Sequence, residues 1–319
     1  MWRILVLWGI VSTSAYAARV SVSVEVRDEA GLPISNAVVS VSTQKKLMFG
    51  YGSRPDHFEW TSNVTDEAGM ASIGFDCCTA DFSCQASAQG YYGEKIGKGR
   101  FAAVENQDLT MRFLSVSTNL SFVLRRKICP IPMYSHGAML NLRIPSWGNY
   151  IGYDLMRCDW VTPYGSGETA DFEILFQREE AEGIVKRMGK MRFAQDGAGA
   201  YVSKKIVSDG LVSAHVADTN AVYGTEFESM ICVDRRHPAE STVKDIISEE
   251  EYMVLRTRPK LDLEWNVISV NYSKIYGPIR IDKEFHFGQS SFNPTPNDPN
   301  LEYDVTRNLN RKSRNRTRP

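Results

Sequence analysis

The 319-residue sequence predicts an all-β protein: an immunoglobulin- or transthyretin-like β-sandwich, followed by a second β-rich domain with little helix. Three observations predict it. Apolar residues recur at every second position in short runs, the pattern of strands with one buried face. Polar, Gly- and Pro-containing turns separate those runs at the intervals a small sandwich needs. Only Glu179 to Lys190 and Glu240 to Glu250 offer helical stretches, and Gly183 and Gly189 weaken the first.

The chain opens on a segment that says where it works. Met1-Trp2-Arg3 is a short basic start, Ile4 to Val11 is apolar, and Ala15-Tyr16-Ala17 sets small residues at the two positions a signal peptidase reads. The apolar run is shorter than the roughly 20 residues that span a bilayer. Residues 1–17 therefore read as a cleaved export signal, with the mature chain beginning near Ala18. The expected location is periplasmic, cell-surface or extracellular. No later segment approaches a membrane span, and the first cysteine, Cys77, lies too far along for lipid attachment at the cleavage site.

Residues 18–125 form the first predicted domain. Val20, Val22, Val24 and Val26 alternate with polar residues, and Asp28-Glu29-Ala30-Gly31 with Pro33 makes a turn. A strand begins in Ala37 to Val41, and after an excursion from Gln44 to Ser62 the Thr65–Gly69 segment turns the chain again. Ala71, Ile73 and Phe75, then Phe82, Cys84, Ala86 and Ala88, repeat the alternation. Leu109, Met111 and Phe113, with Leu120, Phe122 and Leu124, complete the set. Asp28, Asp66 and Glu67 sit at loops, but not at the spacing of a calcium loop.

The valine ladder, Gly31-x-Pro33, Asn36-Ala37-x-Val39 and Thr65-Asp66-x-x-Gly69 resemble the carboxypeptidase regulatory-like family of transthyretin-like sandwiches. The resemblance implies an accessory domain that spaces or presents a neighbour, with no catalytic residues to carry over. The long Gln44–Ser62 insertion and the cysteine cluster depart from that compact pattern.

A basic, proline-containing connector at Arg125 to Pro132 marks the boundary. The second domain is placed at residues 130–304, with strands expected at Met139–Ile144, Phe172–Phe176, Gly199–Val207, Glu251–Thr257 and Leu261–Tyr272. Its Gly152–Leu155, Asp159–Gly165, Asn271–Gly277 and Asn293–Leu301 stretches resemble an uncharacterised region of secreted bacterial proteins that carry a similar N-terminal sandwich. No activity comes with that resemblance. The three prolines of Asn293–Asn300 predict a rigid loop capping the sheet.

Charge and cysteines bound the chemistry. Arg307, Arg311, Lys312, Arg314, Arg316 and Arg318 give the end of the sequence six basic groups and no acid, while the rest carries the excess of acid. Residues 305–319 are thus expected to be a basic disordered tail, able to contact an anionic polymer. All six cysteines lie in the exported part, where disulfides persist. The adjacent Cys77 and Cys78 are poorly placed to bridge each other, and one of them with Cys84 across a hairpin is the natural local pair, Cys78 and Cys84 being the candidates. Neither cysteines nor histidines show metal-ligand spacing, so no metal and no cofactor is expected.

The richest candidate site is Asp154 to Asp171, which gathers Tyr153, Asp154, Asp159, Trp160 and Tyr164 with Glu168 and Asp171 in a glycine-punctuated stretch. Aromatic rings beside carboxylates are the means by which proteins hold sugars, and paired carboxylates also serve glycoside hydrolysis. No nucleophile elbow, phosphate loop or zinc-protease motif occurs, so no catalytic residue is named. The reading is an exported, non-enzymatic structural or binding protein whose partner is an extracellular polysaccharide or another surface protein. Glycan binding through Tyr153, Trp160 and Tyr164 requires those rings to be exposed. A hydrolase requires two carboxylates facing each other across a cleft.

Overall fold

A computed structural model of the chain describes residues 18–45, 57–77, 81–100, 103–105, 111–113, 117–206, 210–310 and 319. Among them the regular structure is all strand except for one 3-10 turn at Pro238–Glu240. The all-β class holds. The signal segment, Cys78 and residues 311–318 lie outside the described residues. The chain divides into two compact units, Met1–Arg126 and Lys127–Pro319.

The first unit contains β1 (Ala18–Asp28), β2 (Val38–Lys45), β3 (His57–Val64), β4 (Met70–Cys77), β5 (Asp81–Ser87), β6 (Glu94–Arg100), β7 (Ala103–Glu105), β8 (Met111–Phe113) and β9 (Ser117–Leu124). β4, β1 and β9 make one sheet, β3, β2, β5 and β6 a second, and β7 and β8 a separate pair. Alternation sends Val20, Val22, Val24 and Val26 inward, where Val39 and Val41 of β2 and Phe82, Cys84 and Ala86 of β5 meet them. Each such buried Val or Phe contributes about 1.5–3 kcal/mol, so the ladders hold the sandwich together. β1 runs antiparallel to β4 but parallel to β9, which sets the first and last strands of the unit side by side. Asp28 and Asp66 close their own turns: each Oδ1 accepts two backbone N–H groups at 2.9 Å.

Cys84 corrects one expectation. Its thiol is free and buried, on the inward face of β5, so the anticipated bridge to the cysteine cluster is not formed. Burial among valines pushes the thiol up to about 12, which leaves it protonated and inert at ordinary pH.

The second unit contains β10 (Tyr134–His136), β11 (Met139–Leu142), β12 (Tyr150–Asp154), β13 (Asp159–Trp160), β14 (Phe172–Ala181), β15 (Ile184–Arg192) and β16 (Gly199–Lys204). It continues with β17 (Glu226–Asp234), β18 (Thr242–Lys244), β19 (Glu251–Leu261), β20 (Val267–Tyr276), β21 (Ile279–Ile281), β22 (Phe285–Phe287) and β23 (Ser290–Phe292). One sheet has the order β13-β12-β14-β15-β17-β18, a second β10-β23-β20-β19-β16, and a small third β11-β22-β21. The main core joins Ile151, Phe172, Ile174 and Phe176 of the first sheet to Met253, Leu255 and Ile275 of the second and Ile281 and Phe285 of the third. A smaller core of Val254, Val270, Tyr272 and Tyr276 is covered by Val212, Ala217 and Leu301 from loops.

The helix anticipated over Glu179–Lys190 is instead the β14–β15 hairpin. Glu182 and Gly183 turn it with φ of 50° and 83°, and Glu179 faces Lys186 across the ladder. Gly189, a poor helix residue, is here a spacer: a Cβ on it would overlap the Ile281 side chain where β21 crosses. The Glu240–Glu250 stretch is a 3-10 turn, the short β18 and loop.

The second unit is also closed by its ends. The buried Glu302 carboxylate accepts the Ile128 and Cys129 N–H groups at 3.1 and 2.5 Å, and Ile131 bridges Tyr303 in parallel. Order continues into the segment anticipated as a disordered tail. Leu309 N–H donates to the Met133 carbonyl at 2.9 Å, and Asn308 bonds both backbone groups of Ser135, because these residues run beside β10. The proline loop packs as anticipated, with Asn297 exchanging bonds with the Val270 backbone.

Candidate functional site

β12 and β13 decide what the Asp154–Asp171 segment can display. Tyr153 pairs with Trp160 across β12–β13 and with Phe172 across β12–β14, on the face turned to the core. Its ring stacks on Phe172 at 5.4 Å and meets Trp160 and Phe287 edge-on at 5.3 and 5.2 Å. Trp160 is 3% exposed and donates its indole N–H to the Arg143 carbonyl at 3.2 Å. Both rings are therefore core, which removes them from the anticipated glycan platform. Of the three predicted rings only Tyr164, 42% exposed, faces solvent.

The acids are equally occupied. Asp154 Oδ1 accepts the Met156 and Arg157 N–H groups at 3.0 and 3.1 Å, and Oδ2 those of Glu168 and Thr169 at 3.0 and 3.1 Å. Burial works to raise its pKa, but these N–H groups and the nearby guanidinium outweigh it and hold the carboxyl below the usual aspartate value. Asp171 accepts two bonds from Arg258, at 2.8 and 2.9 Å, and the Leu155 N–H at 2.8 Å. Arg258 also reaches Asp154 Oδ1 at 2.8 Å and lies 4.6 Å over the Phe292 ring. It can do so because β19 shifts register between Thr257 and Lys260, where Arg258 takes a left-handed φ of 52°. The bulge turns the guanidinium onto the loop and fastens it to the second sheet.

Asp159 staples the other end. Its Oδ1 accepts the Trp160 N–H at 2.8 Å, and its Oδ2 the Ser166 N–H and hydroxyl at 2.8 and 2.7 Å. These bonds outweigh partial burial and lower its pKa. A Cβ on Gly165 would collide with the Asp159 carboxylate and the Trp160 carbonyl, so glycine permits this close turn. Asp154, Asp159 and Asp171 are thus the scaffold of the loop.

What that scaffold presents is a cleft of about 470 Å³ lined by Tyr134, Met156, Arg157, Ser166, Glu168, Leu309 and Asn310. Arg157 Nη2 and Glu168 Oε1 pair at 2.5 Å with both side chains more than half exposed. Such a pair adds little stability, and it leaves both groups free to exchange partners with a ligand. Met156, whose sulfur receives Arg258 Nη1 at 3.5 Å, links the cleft wall to the buried ion cluster. Asn310 reaches the Cys158 sulfur at 3.6 Å, and burial pushes that thiol up to about 12.

A second cleft, of about 420 Å³, is lined by Lys205, Glu249, Tyr276, His286 and Gln289 among others. Two of its polar groups are engaged: Lys205 Nζ donates to the Glu249 and Gly277 carbonyls at 2.5 and 3.1 Å, and the Tyr276 hydroxyl to the Pro319 carbonyl at 2.7 Å. Beside it, the fully buried Lys274 amine donates to the Ser213 hydroxyl at 3.1 Å and ties the covering loop to β20. Sequence reading found the Asp154–Asp171 loop but missed Tyr134, Arg258, Leu309 and Asn310. No local pattern marks them, because they reach the loop from distant strands and from a segment composed like a tail.

No family model matches the chain, and no curated protein matches it. Among solved structures it is similar to 3-chlorocatechol 1,2-dioxygenase from Rhodococcus opacus, with 12% identity and a TM-score of 0.26 over 36% of this chain and 62% of that one. A candidate carbohydrate-binding protein from Bacteroides uniformis matches at 4% identity and TM-score 0.21, covering 86% and 98% of the two chains. The full-length major pilin SpaD from Corynebacterium diphtheriae matches at 8% identity and TM-score 0.25, covering 89% and 84%. Neither a fold family nor a residue role is transferred from likenesses of this size.

Proposed function

We propose that the protein is an exported, non-enzymatic binding protein whose second unit holds a saccharide in the cleft beside the Asp154–Asp171 loop. One observation carries the reading: a single cleft brings together the Tyr134 ring, the exposed Arg157–Glu168 pair, the Ser166 hydroxyl and the Asn310 amide. A ring face suits the apolar face of a sugar, and a guanidinium, a carboxylate and an amide suit its hydroxyls. The loop is held rigid from beneath by Asp154, Asp159, Asp171 and Arg258, so its groups are ordered before a ligand arrives. Glycoside hydrolysis draws on two carboxyl groups roughly 5–10 Å apart across the bond to be broken. Glu168 is the carboxylate lining this cleft, while Asp154 and Asp171 are engaged below it, which supports binding without chemistry.

The test is a polysaccharide array probed with residues 18–319 and with Arg157→Ala and Glu168→Gln. A hydrogen bond to a charged group contributes about 1.5–3 kcal/mol, so each variant should weaken saturable binding by roughly tenfold or more while keeping its melting temperature. Binding unchanged in both variants would sink the cleft as the site. No binding to any glycan would favour a role in protein assembly.

A further inference from the structure

The tip of the β19–β20 hairpin is built rigidly and displays apolar side chains. Asp262 Oδ1 accepts the Glu264 and Asn266 N–H groups at 2.9 and 2.8 Å, and its Oδ2 the Asn266 amide at 3.1 Å. The Asp262 N–H donates to the Asn266 carbonyl at 3.0 Å, and Trp265 is held at a left-handed φ of 66°. This tight turn leaves Leu263 at 101% exposure and Trp265 at 74%, with Ile268 and Val267 exposed behind them. Ordering a turn in order to show Leu and Trp to water is unfavourable unless the tip meets an apolar medium.

We propose that this tip is a wedge that docks on a neutral lipid headgroup layer. Shape and charge select that occupant. Four side chains on a convex turn fall far short of the 20–30 residues a side in an ordinary protein interface. A fluid headgroup layer moulds around such a wedge, and an indole sits well at that depth with Leu and Ile reaching the acyl chains. The exposed charges around it are Asp196, Asp262 and Glu264 against Lys260, an excess of acid that opposes an anionic surface and tolerates a zwitterionic one. None of these residues belongs to the saccharide cleft, so the two readings fail independently.

The experiment is co-sedimentation of residues 18–319 with phosphatidylcholine vesicles, and separately with phosphatidylglycerol vesicles at low salt. Trp265→Ala and Leu263→Glu are compared with Trp60→Ala, which removes another exposed indole. The expected result is binding to phosphatidylcholine, reduced at least fivefold by each tip variant and unchanged by Trp60→Ala, with weaker binding to phosphatidylglycerol. Leu263 is fully exposed, so its replacement leaves the packing intact. Absence of binding to phosphatidylcholine, equal binding by the tip variants, or stronger binding to phosphatidylglycerol would each overturn the proposal.

Discussion

Tyr153 shows what a single residue reveals and conceals. Its ring is wedged among Trp160, Phe172 and Phe287, yet among the described residues its hydroxyl has no hydrogen-bond partner. Burial drives its pKa well above 10, so the group stays neutral, and an unsatisfied buried hydroxyl costs free energy. Tyr153→Phe should therefore raise stability by about 1 kcal/mol, seen as a higher denaturation midpoint with unchanged slope. A lower midpoint would show that the hydroxyl is bonded after all. The sequence made the valines of β1 readable, because strict alternation has one meaning in a half-buried strand. It left Tyr153 and Trp160 ambiguous, since aromatic rings among glycines and acids look alike whether they line a cleft or fill a core. Their direction was set by β14 and β22, which arrive from elsewhere in the chain.

At the scale of elements, the bulge in β19 organises the candidate site. Arg258 meets carboxylates 87 and 104 residues away, a separation no local pattern encodes. Its replacement by Met would leave two buried carboxylates without their cation, a loss of about 3–5 kcal/mol at neutral pH. The sign with pH follows. In the native protein the Asp154 carboxyl is held below the usual aspartate value, so its contribution is complete at neutral pH and disappears only as pH falls through the lowered value. Asp171 is the group that moves: burial already raises its pKa against the Arg258 bonds. Without the guanidinium it favours its protonated form and acidification then favours the folded variant, while the backbone N–H bonds still lower Asp154. The stability gap between wild type and Arg258→Met, from urea titrations at several pH values, should therefore narrow from pH 7 toward pH 4. A gap that stays constant would show that the cluster is not electrostatically important. Gly189 gives the complementary lesson: its low helix propensity was legible, but its purpose was not, because the Ile281 side chain that needs the space belongs to a different sheet.

At the scale of the molecule, the composition break near Arg125–Pro132 was visible, and the chain divides into its two compact units between Arg126 and Lys127. Each has a core of its own, one of valine ladders and one that mixes aromatic rings with isoleucine, leucine and methionine. Calorimetry of residues 18–319 should show two unfolding transitions, and only the one belonging to the second unit should shift in Arg258→Met. A single transition moving as a whole would mean that the cores unfold together. The order in residues 308–310 was not legible, because it rests on a Leu309 backbone bond to Met133 and on the Asn308 amide reaching the Ser135 backbone, partners more than 170 residues away that no local pattern marks. Among the described residues no helix is long and apolar enough to cross a membrane. The two closures by chain ends carry a consequence for biosynthesis. β1 waits for β9 to complete its sheet, and the Ile128–Ile131 segment waits for Glu302 and Tyr303. While either unit is still emerging from a ribosome, its earliest residues lack one of their neighbours, although β1 can already pair with β4. Each unit's first strand or segment therefore gains its last partner only when the end of that unit has been made.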